Sequence, residues 1–165
     1  MSIHRKKVII CQDTVIKGGR LSVILDFVKV FNELDYDVTV MVGRSYFDPS
    51  EWDSFYGYHG QFKFIHLNMP WPLKGELRQV LFNLYLRFFV SKKFDHLVNC
   101  TNTTVFIGGQ KNVYNYIFFP RAYRVHKLGR SIHFKNASLS PLVVIDSLFG
   151  WFFYRFFEKY NYKQY

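Results

Sequence analysis

Residues 7–43 read KVIICQDTVIKGGRLSVILDFVKVFNELDYDVTVMVG. The run Val8–Cys11 is apolar without a break, the mark of a strand covered on both faces, as in parallel sheets. From Leu21 onward, Leu21, Ile24, Leu25, Val28, Phe31 and Leu34 recur at spacings of three and four and make one face of a helix. Asp26, Lys29, Asn32 and Glu33 take the opposite face. Asp35-Tyr36-Asp37 turns the chain into a second buried strand, Val38–Val42. The order is strand, helix, strand, with Gly18 and Gly19 where the first strand hands over to the helix. A helix N-terminus carries unpaired backbone N–H groups and the positive end of the helix dipole, so Gly18, Gly19 and Arg20 are the candidates for contacting a phosphate. Two glycines also suit a plain tight turn, and their spacing does not separate the two readings.

Working outward, Gly43–Gly60 mixes Pro, Gly, Asp and Ser with aromatic residues and reads as a long loop. Gln61–Leu67 reads as a third strand, and Asn68–Pro72 breaks the chain. Lys74–Lys93 reads as a helix with Leu77, Val80, Leu81, Leu84, Phe88 and Phe89 on its apolar side. Arg78, Arg87, Lys92 and Lys93 form its basic exterior. Phe94–Cys100 and Asn112–Phe119 read as further strands, Arg121–Ser140 as a basic irregular stretch, and Leu142–Tyr160 as another helix. Strands alternate with helices, so the expected class is α/β: a Rossmann-like open, mainly parallel sheet with helices on both faces.

Composition narrows the function. Of 165 residues, 49% are apolar and 21% aromatic, which argues against disorder. The formal charge of +10 favours anionic partners such as phosphates, acidic lipid or nucleic acid. Arg121, Arg124, Lys127 and Arg130, with His126, His133 and Lys135 nearby, make a strip that suits either an anion or a solvated loop. No RNA- or DNA-binding motif accompanies it, so nucleic acid is not the expected partner. Two cysteines, Cys11 and Cys100, make neither a disulfide framework nor a zinc site, and they read as small buried side chains. The apolar run after His4-Arg5-Lys6-Lys7 is too short for a secretion signal. Pro141–Phe157 is interrupted by Asp146, Gly150 and Arg155 and is too short to span a bilayer. A reducing cytoplasmic setting is expected.

The glycine turn is neither the dinucleotide fingerprint G-x-G-x-x-G nor the P-loop G-x-x-x-x-G-K-[ST]. The six histidines have no metal-ligand spacing, so no metal or cofactor is expected. Ligands of open α/β sheets sit beyond the carboxyl ends of the strands. The exits Cys100-Thr101-Asn102-Thr103-Thr104 and Phe118-Phe119-Pro120-Arg121 should meet the glycine loop at that edge. Their hydroxyls, amide and guanidinium suit a sugar or a phosphate, although Thr and Asn are also ordinary turn formers.

Lys7-Val8-Ile9-Ile10, then Gly18-Gly19 opening a helix, then Tyr36-Asp37-Val38-Thr39-Val40 resembles the opening of family 4 glycosyltransferases. Phe94-Asp95-His96-Leu97-Val98-Asn99-Cys100-Thr101-Asn102 resembles their next strand, and Lys111–Pro120, KNVYNYIFFP, resembles their "k-n-i-Y-Y-I-H-F-P" segment. The resemblance covers, with gaps, Lys7 to Arg121. It implies the N-terminal, acceptor-side half of a two-domain GT-B enzyme that uses a nucleotide sugar in a retaining transfer, with a lipid-linked or membrane-proximal glycan as acceptor. Gly18, Gly19 and Arg20 would then face the donor phosphates, and Thr101, Asn102, Tyr116, Phe118 and Arg121 would serve the acceptor. The expected organisation is one incomplete Rossmann-like domain over residues 1–165, without the donor-binding domain and its spaced glutamates. Peripheral contact with the cytoplasmic membrane face is expected too. Two departures stand out: Phe118 occupies the histidine position of the family pattern, and Gly18-Gly19-Arg20-Leu21 lacks the acidic residue of the family's turn. A phenyl ring neither accepts nor positions a proton. A non-catalytic glycan- or protein-binding module of the same fold is therefore the alternative.

Overall fold

A computed structural model describes residues 5–15, 18–45, 51–52, 60–67, 75–101 and 112–116, with the backbone alone for 75–77. Five strands, β1 (Lys7–Gln12), β2 (Asp37–Val42), β3 (Lys63–His66), β4 (His96–Asn99) and β5 (Val113–Asn115), form one sheet in the order β3-β2-β1-β4-β5. Every pairing is parallel. The sheet is therefore the open Rossmann-like type read from the sequence. The basic stretch Arg121–Ser140 and the helix expected over Leu142–Tyr160 lie outside the described residues.

The sheet is covered on both faces because its strands alternate between two apolar sets. Val8 and Ile10 of β1, Val38, Val40 and Val42 of β2, and Val98 of β4 pack under α1 (Gly19–Glu33), with Leu21, Ile24, Leu25 and Val28 as its buried stripe. Ile9 and Cys11, Met41 and Leu97 point the other way and meet Phe82, Leu86 and Val90. These come from α2 (Gly75–Tyr85) and the wider π turn Leu86–Val90 that continues it. A period of two along the strands and of 3.6 along the helices yields two cores from one sheet.

α1 starts at Gly18, whose φ of 139° only glycine adopts without strain. It ends where Asp35 takes a left-handed φ of 60°, and the Tyr36 N–H closes back on the Phe31 carbonyl at 3.0 Å. Leu34, expected on the apolar face, falls in this closing turn and is exposed.

Three further readings change. Within the expected loop Gly43–Gly60, Trp52 is fully buried and packs its ring on Phe62 and Phe64 at centroid distances of 5.7 and 5.3 Å. The expected helix Lys74–Lys93 is three pieces: α2, the π turn, and a 3₁₀ turn over Ser91–Lys93. Its buried stripe matches the expected one only in part. Gln79, Val80, Phe82, Asn83, Leu86 and Val90 are buried, whereas Phe88 and Phe89 are exposed. Arg78, read as exterior, is turned inward. Of the expected apolar side Val80 is buried and Leu81 and Leu84 are half-buried; apolarity misplaced Phe88 and Phe89 because the true stripe carries two amides and the π turn shifts its phase. The side chain of Leu77 lies outside the described residues.

Candidate functional site

The strand order reverses direction at β1 and β4. β1 leads through α1 to β2 on one side, and the chain later crosses over through α2 to β4 on the other. Beyond the carboxyl ends of these two strands lies the topological switch point, where open α/β sheets hold ligands. On the α2 face β1, β4 and β5 turn from apolar to polar as they reach that edge. Ile9 and Cys11 give way to Asp13, Leu97 to Asn99 and Val113 to Asn115. The helix does the same in reverse: Val90 and Leu86 lie toward the far edge, and Asn83, Gln79 and Arg78 lie toward this one, where Phe82 also stands beside Gly43.

These polar groups hold one another. Arg78 Nη2 donates to Asp13 Oδ2 at 3.4 Å, with side chains only 14% and 2% exposed. Gln12 Nε2 donates to Asp13 Oδ1 at 3.1 Å and to the Thr14 carbonyl at 3.2 Å, and Thr14 Oγ1 donates to Asp13 Oδ2 at 3.3 Å. Across the crevice, Thr101 Oγ1 lies 2.7 Å from Asn99 Oδ1 and 3.3 Å from the side-chain amide oxygen of Asn83. The hydroxyl has one proton, and it goes to the shorter contact. Asn99 Nδ2 donates to Asn115 Oδ1 at 2.9 Å, and the Thr101 N–H to Asn99 Oδ1 at 3.2 Å.

Three buried atoms in this set have no hydrogen-bond partner among the described residues: Gln12 Oε1, Gln79 Oε1 and Arg78 Nε. Because Gln12 Nε2 is engaged twice, turning the amide over would break two bonds to satisfy one atom. Two acceptors and one donor left over are the complement of hydroxyl groups, each of which donates and accepts; a bare anion would suit Arg78 alone.

The loop after β1 is held close by Gly43. A Cβ there would stand 2.6 Å from the Asp13 carbonyl oxygen and 3.3 Å from Phe82 Cδ2. The Gly43 N–H donates to the Gln12 carbonyl at 3.0 Å, and the Val15 N–H to the Arg44 carbonyl at 2.9 Å.

The residues anticipated from sequence divide between the two sides of this edge. Gly18 and Gly19 are exposed at the N-terminus of α1, Arg20 is half-buried, and a Cβ on either glycine would meet nothing within 4 Å. Tyr116 belongs to the α1 side as well, its ring edge-on to Phe27 at 5.5 Å and its N–H on the Asn99 carbonyl at 2.8 Å. Thr101 is fully buried within the polar set. Asn102, Phe118 and Arg121 lie outside the described residues. Asp13, Arg78, Asn83, Asn99 and Asn115 were not singled out from sequence. The signal that could have found Asp13, Asn99 and Asn115 is the polar residue closing each of their strands; Arg78 and Asn83, on α2, carry no such signal.

Cys11 and Cys100 are free and buried at the same edge. Burial pushes the Cys11 thiol well up, with Cys100 adding to it, and burial pushes Cys100 from 9.0 up to about 12. Neither is a thiolate near neutrality, so neither acts as a nucleophile there. Among the described residues no group of three or more His, Cys, Asp or Glu side chains could hold a metal ion, and no helix is long and apolar enough to cross a membrane. Neither a protein-family model, nor a curated protein, nor a solved structure matches the chain.

Proposed function

We propose that this chain is the acceptor-side domain of a nucleotide-sugar-dependent retaining glycosyltransferase and that the switch-point cluster receives the glycan. The observation that carries the reading is the leftover hydrogen-bonding capacity of Gln12, Gln79 and Arg78, which matches sugar hydroxyls. The family resemblance over Lys7–Arg121 agrees with it. So does the glycine-opened helix end at the same edge, whose dipole and first N–H groups suit a donor phosphate. Gln12, Arg78, Gln79 and Asn83 bind and orient the acceptor. Asp13 organises rather than reacts, since Arg78, Gln12 and Thr14 already hold its carboxylate.

That engagement of Asp13, together with Phe118 in place of the family's histidine, favours the second reading: the same glycan site without catalysis. The two share a first test. Calorimetric titration of the full chain with oligosaccharides should give binding that Asn83→Ala and Arg78→Met each weaken roughly tenfold. Unchanged binding in both variants rejects the cluster as the site. Tight binding of a nucleotide sugar by the chain alone rejects the acceptor-side assignment. Transfer activity separates the readings: glycan binding with no sugar transfer, even beside a protein supplying the spaced glutamates, selects the binding module.

A further inference from the structure

The opposite edge of the sheet carries a second surface. Along the π turn and the 3₁₀ turn, residues 86–93, LRFFVSKK, contain three cations and no carboxylate. Leu86 and Val90 are locked in the core beneath α2, which turns the two residues between Arg87 and Val90 outward: Phe88 is 63% exposed and Phe89 60%. The pose is rigid. Tyr85 stacks on Phe89 at 5.3 Å, and Arg87 lies over the Phe88 ring at 6.0 Å. Ser91 Oγ donates to the Arg87 carbonyl at 2.8 Å, and Asn112 Nδ2 caps the Ser91 and Phe94 carbonyls at 2.9 and 3.2 Å. Arg87, Lys92 and Lys93 are exposed around the two rings. The first strand begins beside them, bringing the exposed Lys6, while the nearby Asp95 carboxylate is occupied by the Lys7 N–H at 2.7 Å.

We infer that this face docks on an anionic lipid bilayer, with Phe88 and Phe89 entering the acyl boundary and Arg87, Lys92, Lys93 and Lys6 meeting the phosphates. Two adjacent phenyl rings carry no polar handle and gain only from an apolar medium, and long basic side chains around them reach the headgroup layer. A second copy of the chain fits poorly, because it would oppose like charges. Phe88 follows Arg78 by ten residues, so the glycan-facing edge stands about 15 Å along the helix axis from the bilayer contact. The docking does not depend on the glycosyltransferase reading: vesicle binding and sugar binding are read separately, and either can fail alone.

The test is co-sedimentation of the full chain with phosphatidylcholine vesicles, with and without phosphatidylglycerol. Binding should require phosphatidylglycerol and weaken at high salt. Phe88→Ser with Phe89→Ser should lower it about tenfold, and Lys92→Glu should lower it several-fold. Lys29→Glu, an equally exposed charge reversal on α1, should leave it unchanged. The inference is overturned by absent binding, by equal binding to pure phosphatidylcholine, or by full binding of the phenylalanine variant. An equal loss in Lys29→Glu overturns it as well, since net charge would then suffice. So does a concentration-dependent dimer in sedimentation velocity that the phenylalanine substitutions dissolve. If the phenylalanine variant fails to fold by circular dichroism, the comparison of Lys92→Glu with Lys29→Glu decides alone.

Discussion

Replacing Arg78 with methionine keeps an unbranched aliphatic stem and removes the guanidinium that faces Asp13. The carboxylate is 2% exposed, so losing its cation leaves a charge with almost no water around it. Breaking a buried pair of this kind typically costs about 3–5 kcal/mol. Two facts reduce that figure here. The contact, at 3.4 Å, is at the long end of a hydrogen bond, and Gln12 Nε2 and Thr14 Oγ1 remain on the carboxylate at 3.1 and 3.3 Å. We expect a loss of about 2 kcal/mol, and a smaller loss when Asp13→Asn is added, because no charge is then stranded. Urea denaturation of the wild type, both single variants and the double variant gives the coupling directly, expected at about 1–2 kcal/mol. A single-variant loss below about 0.5 kcal/mol, or the same loss in the Asp13→Asn background, would refute the view that this pair organises the loop after β1.

Gly43→Ala places a methyl 2.6 Å from the Asp13 carbonyl, a backbone atom that cannot swing aside, and should destabilise by about 1–3 kcal/mol in the same assay. Gly18→Ala should cost about 1–3 kcal/mol because of its φ of 139°, whereas Gly19→Ala, helical and in open space, should be neutral or slightly stabilising; equal losses would contradict the assigned backbone. The thiols set an alkaline limit. Both lose protons more readily in the unfolded chain, so the unfolded state binds fewer protons above pH 9.0, and stability falls as pH climbs from there toward 12. The slope approaches about 1.4 kcal/mol per pH unit for each thiol, and Cys11→Ala with Cys100→Ala should flatten it in urea titrations across that range.

How much of this was legible before the structure depends on where the information sits. β1, α1 and β2 were readable because each shows its own periodicity and the three are consecutive; even the αL turn at Asp35 falls at the expected acidic turn. α2 was harder. Gln79 and Asn83 occupy the buried stripe and so look like surface, while Phe88 and Phe89 look like core and are not. The glycine turn was readable as a local motif. The polar cluster was not, because Asp13 and Arg78 are 65 residues apart and only the crossover brings them together. What the sequence does display is the change of character at each strand's end, Gln12-Asp13 after VIIC and Asn99 after LV. That change gains meaning once the strands are known to be parallel and neighbouring.

The central position of β1 has a kinetic consequence. Its pairing with β2 closes a loop of about one helix, from Val8 to Val38, whereas its pairing with β4 joins Val8 to His96. Closing the longer loop costs more chain entropy, and it is repaid only after β3 and α2 have been threaded past. We therefore expect β1, α1 and β2 to condense first and β4 to join afterwards, so that pulse-labelled amides of Val38–Val42 gain protection before those of Leu97–Asn99. Simultaneous protection would rule this order out. On this order, a growing or refolding chain holds most of one core while Asp13 still lacks Arg78, and the polar cluster at the strand ends forms late.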